Sequence, residues 1–184
     1  WLVLTMLRAF DGVSRVAPEV KAAVVGACVG LLGVIAPQLI GGGGVLNERL
    51  LVESIPIGAL LVIFAVRWVL GPFSYSAGTP GGLFAPLLLV GAAGGTLIAT
   101  TTNALLPAAN LSATAFAIVG MSTFFAATVR APFTGVVLII EMTATTSVLV
   151  PMVLAAGVSV LVATKLKGPP IYETLRLRME NAPT

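Results

Sequence analysis

Between Arg67 and Arg130 the chain runs for 62 residues without a charged side chain. A soluble domain cannot leave so long a run uncharged and still cover its surface, because charged and polar groups must face water somewhere. The run is long enough for two or three membrane crossings of roughly 20 residues each. Composition points the same way. Hydrophobic residues make up 58% of the 184 and charged residues 9%, against about 45–50% and about 25% in soluble domains. The chain reads as an integral, multi-pass membrane protein.

The remaining counts exclude several kinds of chemistry. There is no histidine and one cysteine, Cys28, within an apolar run. The usual Cys/His transition-metal site therefore cannot be built from this chain, nor can a Ser-His-Asp or Cys-His catalytic arrangement. Cys28 reads as a small core or lipid-facing residue, and a lone thiol says nothing of redox compartment. Net charge is +3, but the basic residues are scattered between apolar segments, so no nucleic-acid partner is indicated. An enzyme is disfavoured, and no cofactor is expected. The first residue is Trp1, and the apolar start that ends at Arg8 and Asp11 lacks a signal-peptide pattern. It resembles the tail of a helix, over residues 1–13, in a partial chain.

Proline and glycine divide the rest. The first full helix is expected over 18–35, with Pro18 at its first position and Glu19 at the positive dipole end. Pro37 and the glycines at 41–44 end it. A short amphipathic piece follows at 46–52, then a long helix at 57–73 that carries Arg67. Residues 74–82 form a break, which cannot be backbone exposed to lipid. Apolar segments are expected at 83–102, 113–128, 132–142 and 149–166, with a polar turn around Asn103, Pro107 and Asn110. Pro169 and Pro170 precede a short basic helix at 172–178. Several segments are shorter than a perpendicular span, which suggests tilted and partly penetrating helices. Glycines at 91, 94 and 95, and between 26 and 33, offer close-approach faces. Lys165, Lys167, Arg176 and Arg178 place the C-terminus in the cytoplasm by the positive-inside rule.

The physically loaded element is Gly81-Gly82-Leu83-Phe84-Ala85-Pro86, a glycine-rich break feeding an apolar helix. The first turn of a helix leaves N–H groups without helical acceptors and carries about half a positive charge. Within a membrane an anion can satisfy those donors, and Pro86 removes one that would otherwise need a partner. Glycines placed for close packing explain the same residues, and the sequence leaves the two open.

These residues, with Gly91-Ala92 after them, resemble the GxFxP signature of CLC chloride channels and chloride/proton antiporters. The likeness extends to Ser76-Ala77-Gly78 before it, to Gly120-Met121-Ser122, to Arg130-Ala131-Pro132-Phe133-Thr134-Gly135, and to Gly168-Pro169-Pro170-Ile171-Tyr172. It implies an all-α membrane protein, specifically the second inverted-repeat half of a CLC-type transmembrane domain with short, tilted and re-entrant helices. No separate soluble domain is expected, and residues 170–184 would be the pore-tyrosine helix and tail. The implied activity is chloride transport, as a voltage-gated-type channel or as an exchanger with protons, in a homodimer within a lipid bilayer. The absence of a nucleotide-binding domain after Thr184 suits a prokaryotic plasma-membrane member. By the same resemblance the anion is held by the N–H groups of Leu83 and Phe84 and by the Tyr172 hydroxyl. A serine and a gating glutamate would come from the other half, and the proton-relay glutamate with them, so channel and antiporter are not separated here. A non-transporting scaffold or truncated half-transporter is the alternative.

Individual residues carry competing expectations. Tyr172 is an anion donor or an interfacial anchor. By the same resemblance Phe84, Tyr75, Gly82 and Pro86 would line the pore, with a plain packing role equally open for Tyr75. Arg67, alone in its helix, either concentrates anions in a vestibule or is a paired structural residue. Glu141 is expected as a buried, hydrogen-bonded carboxylate rather than a proton carrier, and Arg130 as a helix boundary at the membrane surface. The segments 132–142 and 149–166 would form the dimer surface.

Overall fold

The computed structural model describes Thr5 and residues 17–41, 43–75 and 82–180. The expected helix tail at 1–13 falls otherwise outside them, as do Ser76, Ala77, Gly78 and Gly81 of the break. From residue 17 onwards the described residues form α1 (Pro18–Ile35), α2 (Gly44–Val52), α3 (Ile57–Tyr75), α4 (Phe84–Leu105), α5 (Ala113–Val129), α6 (Pro132–Thr143), α7 (Leu149–Lys165) and α8 (Ile171–Glu180), with no strand among them. Pro18 and Pro132 sit at the first positions of α1 and α6, where the missing N–H costs nothing. Ser112 caps α5, its hydroxyl accepting the Ala115 N–H.

α4 and α5 form the centre. They run antiparallel at a separation that only glycine allows, since a Cβ on Gly95 or Gly120 would collide with the backbone of the other helix. The fully buried Leu88, Leu89, Ala92 and Ala93 of α4 and Ala117 and Ala126 of α5 complete this seam. α3 covers one side of α4, α2 rests on both central helices, and α6 and α7 pack on the far side of α5. The second glycine face expected from the sequence is not used in this way. A Cβ at Gly26 or Gly30 would meet nothing within 4 Å, and Gly33 alone has a neighbour, Ile40.

The exterior is apolar. Val34, Leu105 and Phe133 are each more than three-quarters exposed, and Leu154 and Leu161 nearly two-thirds. Large apolar faces of this extent need lipid or another protein surface. α3 and α4 are each long and apolar enough to cross a membrane. Several threonine hydroxyls on α4 and α5 donate back to the carbonyl one turn earlier, as Thr101 does to Leu97 at 2.6 Å and Thr123 to Val119 at 2.7 Å. They therefore need no partner from the surroundings.

Several helix ends differ from the sequence expectation: α2 starts at Gly44 and α8 runs from Ile171 to Glu180, and two others have a visible cause. α3 continues to Tyr75 with Pro72 inside its last turn, where only one helical hydrogen bond is lost before the helix ends. α4 continues through Asn103 to Leu105. The Asn103 side chain donates to the Leu111 carbonyl and accepts the Leu111 N–H, both at 2.8 Å. An asparagine that reads as a turn former instead stays helical and clamps the connection to α5.

Candidate functional site

The site begins at the start of α4. Leu83 is the N-cap and its carbonyl accepts the Leu87 N–H at 3.0 Å, while no side chain caps the first turn. Pro86 has no N–H, so Leu83, Phe84 and Ala85 carry the donors that lack helical acceptors. Gly82 is exposed, and a Cβ there would meet nothing within 4 Å. Close packing therefore does not account for that glycine.

Leu83 is buried against Ile171 and Leu175 of α8, with Tyr75, Leu87 and Val129 alongside. The first residue of α8 thus packs on the residue that caps α4, and the positive ends of two helices meet. Phe84 is half-buried, its ring edge-on to Phe125 with centroids 5.4 Å apart. Tyr172, the second residue of α8, remains 46% exposed. Partial burial, and behind it the electrostatic influence of Tyr75, holds its hydroxyl above the ordinary tyrosine value. It is a protonated donor at neutral pH.

Two cavities flank this junction. One, of about 190 Å³, is bordered by Gly41, Arg67, Ser74, Tyr75, Gly82, Leu83 and Pro86. The other, of about 320 Å³, is bordered by Arg67, Trp68, Leu83, Pro86, Phe124 and Ile171 among others. Pro86 and Arg67 are shared between them, and Tyr75 belongs to the smaller.

Arg67 is 5% exposed. Its guanidinium donates to the Gly41 carbonyl at 2.7 Å and the Ile40 carbonyl at 2.9 Å, and its Nε is buried without a partner. The residue therefore closes the break between α1 and α2. Gly41 at φ 81° and Gly43 at φ 90° need glycine to turn the chain there. Arg67 is structural by its bonds, yet it also borders both cavities.

Two other charged residues stand differently from expectation. Glu141 is exposed, not buried. The inward face of α6 is Gly135, Val136 and Ile139, and residue 141 lies about 200° around the helix from Ile139. Arg130 does end α5, but it is tied inwards. It donates to the Val160 carbonyl at 2.7 Å, to the Thr164 hydroxyl, and to the Gly168 carbonyl at 2.7 Å. Nothing local in the sequence signals those contacts, since the partners lie 30 to 38 positions away.

The model of the Voltage gated chloride channel family matches residues 1–164. The H(+)/Cl(-) exchange transporter ClcA of Klebsiella pneumoniae (strain 342) is 41% identical over 155 residues, which are 84% of this chain and 33% of that protein. The ClcA protein of Salmonella arizonae is 40% identical over 154 residues, with the same shares. The crystal structure of a slow cyanobacterial Cl-/H+ antiporter superposes with a TM-score of 0.86 at 30% identity, covering 97% of this chain and 42% of that one. The chain spans about a third of the length of the curated relatives it matches.

Proposed function

The chain belongs to the Voltage gated chloride channel family, and from that membership we propose that it forms part of a chloride transporter in which helix N-termini and a tyrosine hydroxyl hold the anion. The observation that carries this is the contact of Leu83, which caps α4, with Ile171, which opens α8. Two positive helix ends brought together repel unless something negative lies between or beside them. The N–H groups at Leu83 and Phe84 and the hydroxyl of Tyr172 are neutral donors, so they bind an anion without the grip of a fixed ammonium. Arg67 borders the adjoining cavities and adds positive potential there.

Exchange of chloride for protons is favoured over a channel, because the relatives reported above are named exchange transporters. The setting is a bacterial plasma membrane with the basic C-terminal end in the cytoplasm. The exposed apolar faces of α6 and α7, which include Phe133, Val137, Leu154 and Leu161, form the surface of a homodimer. Cross-linking that finds only monomers in bilayers would remove that part.

The decisive measurement is chloride efflux from proteoliposomes with pH recorded on both sides. Chloride movement that drives protons in the opposite direction is expected. Chloride flux without proton movement assigns a channel instead. No anion flux overturns the proposal in favour of a non-transporting scaffold.

A further inference from the structure

We propose that Arg130 is a positioning residue that sets Tyr172 against the start of α4, through its hydrogen bond to the Gly168 carbonyl. The proposal rests on the chloride reading above for its functional consequence. Arg130 sits at the C-cap of α5 with φ 68°, a left-handed conformation that takes the chain out of the helix. Its guanidinium divides between two targets: Nη1 donates to the Val160 carbonyl and the Thr164 hydroxyl on α7, and Nη2 to the Gly168 carbonyl.

Gly168 is itself fixed. α7 ends with the Gly168 N–H donating to the Ala163 carbonyl at 3.0 Å and the Lys167 N–H to the Thr164 carbonyl at 2.9 Å, the paired bonds of a Schellman motif. From Gly168 to α8 the chain is Pro169 and Pro170, whose rings fix φ. Thr174 then donates to the Pro170 carbonyl through both its N–H, at 3.1 Å, and its hydroxyl, at 2.7 Å. Few soft torsions remain between the atom that Arg130 holds and the Tyr172 side chain.

The same end of α5 also holds α4. Val129 packs in the cluster of Leu83, Ile171 and Leu175, and the Phe125 ring meets Phe84. Phe125, Val129 and Arg130 lie within two turns of one helix. They touch Leu83 and Phe84 at the start of α4, Ile171 beside Tyr172, and the Gly168 carbonyl that leads into α8. Among the described residues no carboxylate pairs with Arg130, so its charge is met by carbonyl and hydroxyl oxygens.

The test is a double-mutant cycle on chloride affinity, measured by calorimetry on the intact protein in detergent, with hydrogen exchange followed at residues 174–177, whose N–H groups make the first helical bonds of α8. Arg130→Gln is expected to weaken chloride binding about tenfold, as for loss of a charge-assisted bond. In the Tyr172→Phe background the same change is expected to cost less than about twofold, because the group being positioned is gone. Exchange should rise at 174–177 and stay unchanged in the middle of α5. Equal losses in both backgrounds, or no loss with unchanged exchange, overturn the proposal. Should Arg130→Gln not fold, Arg130→Lys, which keeps the charge and loses the planar fork, carries the same cycle. If the unaltered protein binds no chloride, the chloride reading fails. Positioning is then decided by exchange alone, upheld by a rise confined to 174–177 and overturned by none.

Discussion

Gly91 on α4 and Gly120 on α5 face each other so closely that a Cβ on Gly91 would lie 2.5 Å from the Gly120 carbonyl oxygen. Backbone on the facing side cannot step aside as a flexible side chain can. Gly91→Ala is therefore expected to destabilise the protein by about 1–3 kcal/mol, the usual range for overpacking, or to separate the helices. Gly26→Ala and Gly30→Ala meet open space within this chain and should stabilise α1 by up to about 1 kcal/mol each through helix propensity. Thermal unfolding in detergent distinguishes them. Equal tolerance at Gly91 and Gly26 would show that α4 and α5 do not approach as described.

Arg67 closes the turn at Ile40 and Gly41 with two hydrogen bonds. Arg67→Met fills similar volume and leaves both carbonyls without that donor, a loss of about 1–3 kcal/mol in stability. Arg67→Lys has one donor group in place of a fork and should recover part of it. If the residue also concentrates anions in the adjoining cavities, chloride on-rate should fall in Arg67→Met and lose some of its salt dependence. Unchanged unfolding temperature in Arg67→Met would contradict the structural role.

Much of the helical layout was legible because proline and glycine mark its ends. Pro18 and Pro132 open α1 and α6 where the residue order places them, and Pro37 stands just beyond the end of α1 as expected. The start of α4 was legible because a glycine-rich break precedes an apolar run, whereas its reading as an anion site came from the resemblance to the CLC signature and not from the residues alone. What failed depended on direction around a helix or on distant partners. Residues 132–140 are apolar but for Thr134, which lies two turns before Glu141 on the same exposed face, so a single polar residue was the one periodic signal of the side of α6 that Glu141 would occupy. Asn103 has turn chemistry locally, and only the approach of Leu111 keeps it helical. The anchoring of Arg130 on Gly168 belongs to the same class, since helix packing alone brings those residues together.

Lys167 ends α7 in the left-handed region at φ 53°, at the position of the Schellman motif where glycine is usual. A residue with a Cβ carries roughly 1–2 kcal/mol of steric cost in that conformation. Lys167→Gly is expected to raise stability by about 1 kcal/mol while leaving the Gly168 N–H bond to Ala163 intact. A lower unfolding temperature would mean that the lysine side chain contributes more than its backbone strain costs.

Tyr172 provides the sharpest test of anion binding, because its hydroxyl can be removed without removing its ring. Tyr172→Phe should weaken chloride binding by about tenfold, the loss of one hydrogen bond to a charged partner. Tyr172→Ala should weaken it further, since the ring wall goes as well. The pH dependence has a definite sign. Burial holds the hydroxyl above the ordinary tyrosine value, so the neutral donor persists through neutral and mildly alkaline pH, and it ionises at higher pH than a free tyrosine. The corresponding stability contribution is fully present below the unfolded-state value and is lost as pH rises through the folded one. The phenolate that forms there repels chloride, so affinity at Tyr172 should be flat from about pH 5 to about pH 9 and fall beyond about pH 10. Binding rather than flux must be measured, because proton exchange adds its own pH dependence. In Tyr172→Phe the alkaline fall should disappear. If it persists with phenylalanine in place, another group governs it and the hydroxyl is not the donor.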